Sequence, residues 1–168
     1  MKAPRILSCQ KGAAGAELAL WLPLLLLLFG GLEAGHFIWT QHKLTEAVRN
    51  GVRYASRLGI NSVCPSLDSA TRDRIALITR TGQLENAAAK ALVPGWTSDE
   101  VVVTVSCGQF VNTGIYADLG DGERGPLVIV EARNVTYPAL FNQWGVIVPM
   151  SGEAVGMSAV ASAAVIGV

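Results

Sequence analysis

From Ala13 to Leu32 every position is apolar or small except Glu17. About 20 helical residues at roughly 1.5 Å each match a hydrocarbon core of about 30 Å, so the run is long enough to span a bilayer. Beyond it the pattern changes to an amphipathic one. Phe37, Leu44, Val48, Val52, Ala55 and Leu58 recur at three- and four-residue steps, with Gln41, Lys43, Glu46, Arg49, Arg53 and Arg57 on other faces. The two patterns together predict one helix from about Ala13 to Leu58, on the order of 70 Å long. Gly59, Asn61 and Pro65 mark its stop.

The distal half changes period again. Asp68 or Ser69 is placed to cap a second helix with Ile75, Leu77 and Ile78 apolar, and Gly82 breaks or bends it. Gln83 to Leu92 is alanine-rich and of high helix propensity, and Pro94-Gly95 ends it. Val101 to Cys107 is rich in β-branched residues and predicts a strand. A second strand follows from the alternation in Pro126–Pro138. Val128, Val130, Ala132, Asn134 and Thr136 fall on one face, and Ile129, Glu131, Arg133, Val135 and Tyr137 on the other. Ser158 to Val168 reads as a third strand, although its small apolar residues also suit a buried helix. Gly108 to Gly125 is a long loop. Its Asp118-Leu-Gly-Asp-Gly-Glu-Arg-Gly run is turn chemistry, without the spacing of an EF-hand calcium loop.

Three strands laid on the amphipathic half of a long helix make an α+β fold. The expected division is a basic leader over 1–12, a transmembrane helix over 13–39, its amphipathic continuation over 40–60, and an exported α+β domain over 61–168. Lys2, Arg5 and Lys11 precede the apolar run with no acid among them, whereas Glu33 and Glu46 follow it. That asymmetry predicts a cytoplasmic N-terminus and an exported C-terminal part, hence a single pass through the inner membrane. The apolar run is too long for the core of a secretory signal peptide. Pro23 lies inside it, which membrane helices tolerate, and Trp39 lies just past its far end, where an indole suits the interface.

The junction Lys11-Gly12-Ala13 resembles the cleavage site of a type IV prepilin, a short basic leader ending in Gly before a hydrophobic helix. Cleavage after Gly12 makes Ala13 the first residue and Glu17 the fifth. The longer run Gly-Ala-Ala-Gly-Ala-Glu-Leu-Ala-Leu-Trp-Leu-Pro-Leu-Leu-Leu-Leu-Leu-Phe-Gly-Gly-Leu-Glu, followed by Ala-Val-Arg-Asn-Gly-Val-Arg-Tyr-Ala-Ser, is similar to the TadE-like pseudopilins of Flp-type (tight adherence) pilus systems of bacteria. The resemblance covers residues 11–59. Leu18 stands where the family pattern has an aromatic residue after the glutamate.

The resemblance implies a minor pseudopilin, processed by a prepilin peptidase and acting in pilus assembly or initiation and in surface adhesion. The partners it implies are that peptidase, other pilin-like subunits, the inner-membrane assembly platform and membrane lipid. A physical reason for Glu17 stands beside it. The α-amino group freed at Ala13 is costly to carry into a packed apolar core unless a carboxylate one turn away neutralises it, in the same subunit or a neighbour. A carboxylate snorkelling to the headgroups is the plain alternative for Glu17. At the level of function, the alternative is an uncleaved single-pass envelope protein that binds or scaffolds.

Cys9 lies in the leader; Cys64 and Cys107 lie in the exported part, where oxidation is permitted, and are expected to pair. No Gly-x-Ser-x-Gly, phosphate loop, His-Glu-x-x-His or dinucleotide fingerprint occurs, so no catalytic residue is nominated and no enzyme is expected. His36 and His42, six residues apart on a helix, do not share a face, so neither a metal nor any other cofactor is expected. Net charge is zero and no basic run occurs, which argues against nucleic acid as a partner. Arg49, Arg53 and Arg57 form a stripe read as a solvated or packing face, and Glu33 with His36 as a modest interfacial contact.

Overall fold

The computed structural model describes residues 10–86, 88–110, 125–141 and 155–167. The leader residues 1–9 with Cys9, the acidic turn around Asp118 and most of the irregular stretch after Ala139 lie outside the described residues.

Helix α1 runs without a break over Gln10–Ala55, 46 residues, with Pro23 inside it. Its two halves differ in what surrounds them. Leu44, Ala47, Val48, Gly51, Val52 and Ala55, at steps of three and four, are buried. That stripe packs on two strands and on helix α3 (Ser69–Thr81). A single turn, α2 (Ile60–Val63), links the two helices.

Asp68 caps α3 by accepting a hydrogen bond from the Ala70 amide at 3.2 Å, which satisfies one of the orphan donors of the first turn. Gly82 closes the other end at φ 72°, a left-handed conformation that glycine adopts without steric cost. The helix expected over Gln83–Leu92 does not form; the described residues there run as turns. Alanine propensity is worth at most about 1 kcal/mol per residue, and bonds outside the helical ladder outweigh it. The Gln83 amide bonds Thr81 Oγ1 at 3.1 Å, the Ala88 amide bonds Asn86 Oδ1 at 3.1 Å, and the Leu92 amide returns to the Arg80 carbonyl at 2.8 Å. This path delivers Val93 and Trp96 into the core, both almost fully covered.

The sheet is an antiparallel meander in the order β1–β2–β3: β1 is Val101–Phe110, β2 is Gly125–Thr136 and β3 is Gly156–Ala164. Val103, Val130 and Ala161 lie in one cross-strand row, and Val101, Ala132 and Ala159 in the next. The small side chains on β3 let α1 lie close to the sheet.

The face assignment within β2 needs a correction. Val128, Val130 and Ala132 are buried, but Asn134 and Thr136 are exposed, and Val135 and Tyr137 are buried in their place. The pairing advances from Ala132 opposite Ala159 to Val135 opposite Met157, so β2 carries one extra residue there. Asn134 takes φ 53° at this bulge, and the inserted residue turns the rest of the strand over.

Two ties hold the ends of the domain. Cys64 and Cys107 form a disulfide, Cα–Cα 5.8 Å, joining the linker after α2 to β1. The segment after β3 returns to the end of α1, where the Ile166 amide bonds the Ser56 carbonyl at 2.8 Å and Gly167 bridges Gly59.

Candidate membrane and assembly surface

Among the described residues, α1 is the one helix long and apolar enough to cross a membrane. Its first half is largely bare among the described residues: Leu18 is 71% exposed and Leu27 76%, and the side chains from Leu18 to Phe29 are all exposed. A continuous apolar surface of this length is costly in water and needs lipid or other apolar helices around it.

Glu17 is exposed on this surface, beside Leu18, Leu20 and Trp21. Gly12 and Ala13 lie in the opening turns of the same helix. Helical register sets Ala13 and Glu17 four residues apart, on one face and about one turn from each other. Among the described residues, the folded domain packs on more distal parts of the helix and does not reach that level.

The end of the apolar run is where the domain meets the helix. Tyr137, at the close of β2, is 9% exposed and packs edge-on to Phe37 with ring centroids 5.1 Å apart. Its hydroxyl lies 2.9 Å from His36 Nδ1 and 3.2 Å from the Glu33 carbonyl oxygen. When the phenol donates to the carbonyl, the bond to His36 requires the proton on Nδ1. Glu33 Oε1 accepts the Leu140 amide at 3.3 Å. Burial of the phenol, and then its Glu33 neighbour, raise the Tyr137 pKa well above the ordinary tyrosine range. Glu33 and His36 therefore meet through Tyr137 and the turn after it; no bond joins the two side chains directly among the described contacts.

Tyr137 is the residue that sequence reasoning missed here. Alternation placed it on the face opposite Val128 and Val130, and the bulge at Asn134 turns it to the buried side against α1. One turn further along the helix, Lys43 Nζ sits 3.6 Å from the centre of the Trp39 ring, a cation–π contact on a half-exposed indole. Of the basic stripe, Arg49 pairs with Glu46 at 2.8 Å, and Arg49, Arg53 and Arg57 are all exposed. No group of His, Cys, Asp and Glu that could hold a metal occurs among the described residues.

No curated protein and no solved structure matches the chain. The family model described as TadE-like protein matches residues 12–53, the stretch that holds Gly12, Glu17, the exposed apolar surface and most of the buried stripe of α1, and this match supports a part for the chain in the Tad pilus system.

Proposed function

We propose that the chain is a minor pseudopilin of a Tad/Flp-type pilus, made as a single-pass inner-membrane precursor and cut after Gly12 by a prepilin peptidase. The mechanism is packing, with no chemistry performed by the subunit. The bilayer stores the bare half of α1. On extraction that surface transfers from lipid to the same surface of other pilin-like subunits on the assembly platform, and the domain faces solvent or partners in surface adhesion.

The observation that carries this reading is the place of Glu17, a carboxylate on an uncovered apolar helix, four residues beyond Ala13. Cleavage leaves an ammonium group at Ala13. A subunit in register pairs that charge with a carboxylate, its own or a neighbour's, whereas one out of register buries both unpaired at a cost of several kcal/mol. The Cys64–Cys107 disulfide agrees with a domain on the oxidising side of the membrane.

Mass measurement of the chain's N-terminus from the native host tests processing. A chain beginning at Ala13 is expected; an intact Met1 favours an uncleaved envelope anchor that binds or scaffolds. Glu17→Gln should leave membrane insertion intact and abolish assembly, and normal pili from that variant would overturn the register mechanism.

A further inference from the structure

The turn after β2 does more than close the sheet: it runs back down the side of α1, past the point where the apolar run ends. Phe141 packs edge-on to Phe29, with ring centroids 5.4 Å apart and planes at 81°. Phe29 lies one helical turn before Glu33, about 6 Å further into the apolar run at 1.5 Å per residue. Trp39, with Lys43 over its ring, stands ten residues beyond Phe29, about 15 Å along the axis. An exposed indole with a lysine ammonium over its face marks headgroup depth. With Trp39 at that depth, Phe29 is within the hydrocarbon, and Phe141 is at the same level.

The neighbouring features point the same way. Leu140 is 52% exposed, a large apolar side chain left bare beside an already apolar helix. Its amide is anchored by Glu33 Oε1, so the turn meets the helix with a backbone donor satisfied, as insertion near lipid requires. The chain from residue 134 to residue 152 contains no Asp, Glu, Lys or Arg, so no charge in that part of the sequence opposes insertion.

We propose that the Pro138–Phe141 turn is a second membrane contact, a foot that places Leu140 and Phe141 among the lipid chains of the leaflet facing the folded domain. It rests on the reading of α1 as a membrane span. Glu33 is its positioning residue, fixing the turn to the helix, while the Phe29–Phe141 contact makes the foot continuous with the lipid-facing surface. The domain then stands on the bilayer surface at two points, and leaving the membrane requires the foot to be withdrawn together with α1.

The test uses the full chain with Cys9→Ser and one added cysteine carrying an environment-sensitive fluorophore, in vesicles of phosphatidylethanolamine and phosphatidylglycerol. Leu140→Cys removes an exposed side chain and leaves the core intact. Leu27→Cys reports on the span, and Leu84→Cys, exposed in the bend after α3, reports on water. The label at 140 is expected to emit to the blue of the label at 84. A nitroxide on the lipid chains should quench it more strongly than it quenches the label at 84. Water-like emission at 140 with strong quenching at 27 overturns the foot and leaves the span standing. Water-like emission at both overturns the span with it. Blue emission at 140 that no nitroxide quenches means that protein, not lipid, covers the turn, and that also overturns the proposal.

Discussion

Gly51 of α1 lies directly against the side chain of Thr79 in α3. A Cβ built at Gly51 would overlap Thr79 Oγ1, and it would meet Thr79 Cβ at 3.1 Å and Cγ2 at 3.4 Å. Thr79 is fully buried, and its hydroxyl is already engaged, donating to the Ile75 carbonyl at 2.6 Å. Rotating the side chain leaves Thr79 Cβ itself 3.1 Å away, so the two helices have no soft atom to give way. This is why a glycine, normally unfavourable in a helix by about 1 kcal/mol, occupies the buried stripe of α1.

Gly51→Ala should therefore destabilise the domain although alanine is the better helix former. Overpacking costs about 1–3 kcal/mol, against a propensity gain of about 1 kcal/mol. Chemical denaturation of the detergent-solubilised chain measures the difference. Adding Thr79→Ala should recover part of the loss, since it removes the atom in the way; strict additivity of the two changes would contradict the contact.

The disulfide makes a separate prediction. Cys64 and Cys107 are separated by 43 residues, and cross-linking a loop of that length stabilises by about 4 kcal/mol in the chain-entropy account. Replacing both by alanine, or reducing the bond, should lower the melting temperature on the order of 15–25 °C, followed by circular dichroism. The apolar half of α1 should keep its helical signal, because its side chains from Leu18 to Phe29 are exposed and its helix does not rest on the packing of the domain.

Much of the architecture was readable in the sequence because it follows from periodicity. The apolar run, the three- and four-residue spacing from Leu44 to Ala55, the Asp68 cap and the cores of all three strands are local patterns, and each maps to the element expected. What was not readable depends on contacts that no local pattern announces. The Gln83–Leu92 segment has helical composition, but Arg80 and Val93 draw it into turns. Strict alternation in β2 gives the right inner face only as far as Ala132, since a bulge is a property of two paired strands. Glu17 and the Gly12–Ala13 junction were legible as a motif, whereas the contact of Tyr137 with Glu33 and His36 spans about a hundred residues and follows from the bulge.

Asn134 can be tested directly. Asparagine tolerates φ near 53°, whereas a β-branched residue there is strained by roughly 1–2 kcal/mol. Asn134→Val, although it improves the strand propensity of an exposed site, should destabilise by that amount. Asn134→Gly should be nearly neutral, and equal effects from the two would mean that the left-handed backbone is not what the position requires.

Tyr137 sets the alkaline limit of the contact between domain and helix. Burial is the main cause of its raised pKa, and Glu33 adds to it, so the folded chain keeps the phenol protonated where an unfolded one ionises, near pH 10. A group whose folded pKa lies above its unfolded value contributes stability that is fully present below the unfolded pKa. That contribution is lost as pH rises through the folded value. Stability should thus decline above about pH 10, as ionisation removes the only hydrogen-bond donor the side chain has toward the Glu33 carbonyl. Tyrosinate absorbance should show one phenol titrating late in the folded protein, and Tyr137→Phe should remove that late step. The same variant should be less stable at neutral pH, since it leaves the Glu33 carbonyl and His36 Nδ1 without their hydroxyl partner. Its stability should also fall less steeply above pH 10, and an unchanged alkaline slope would show that another group controls the limit.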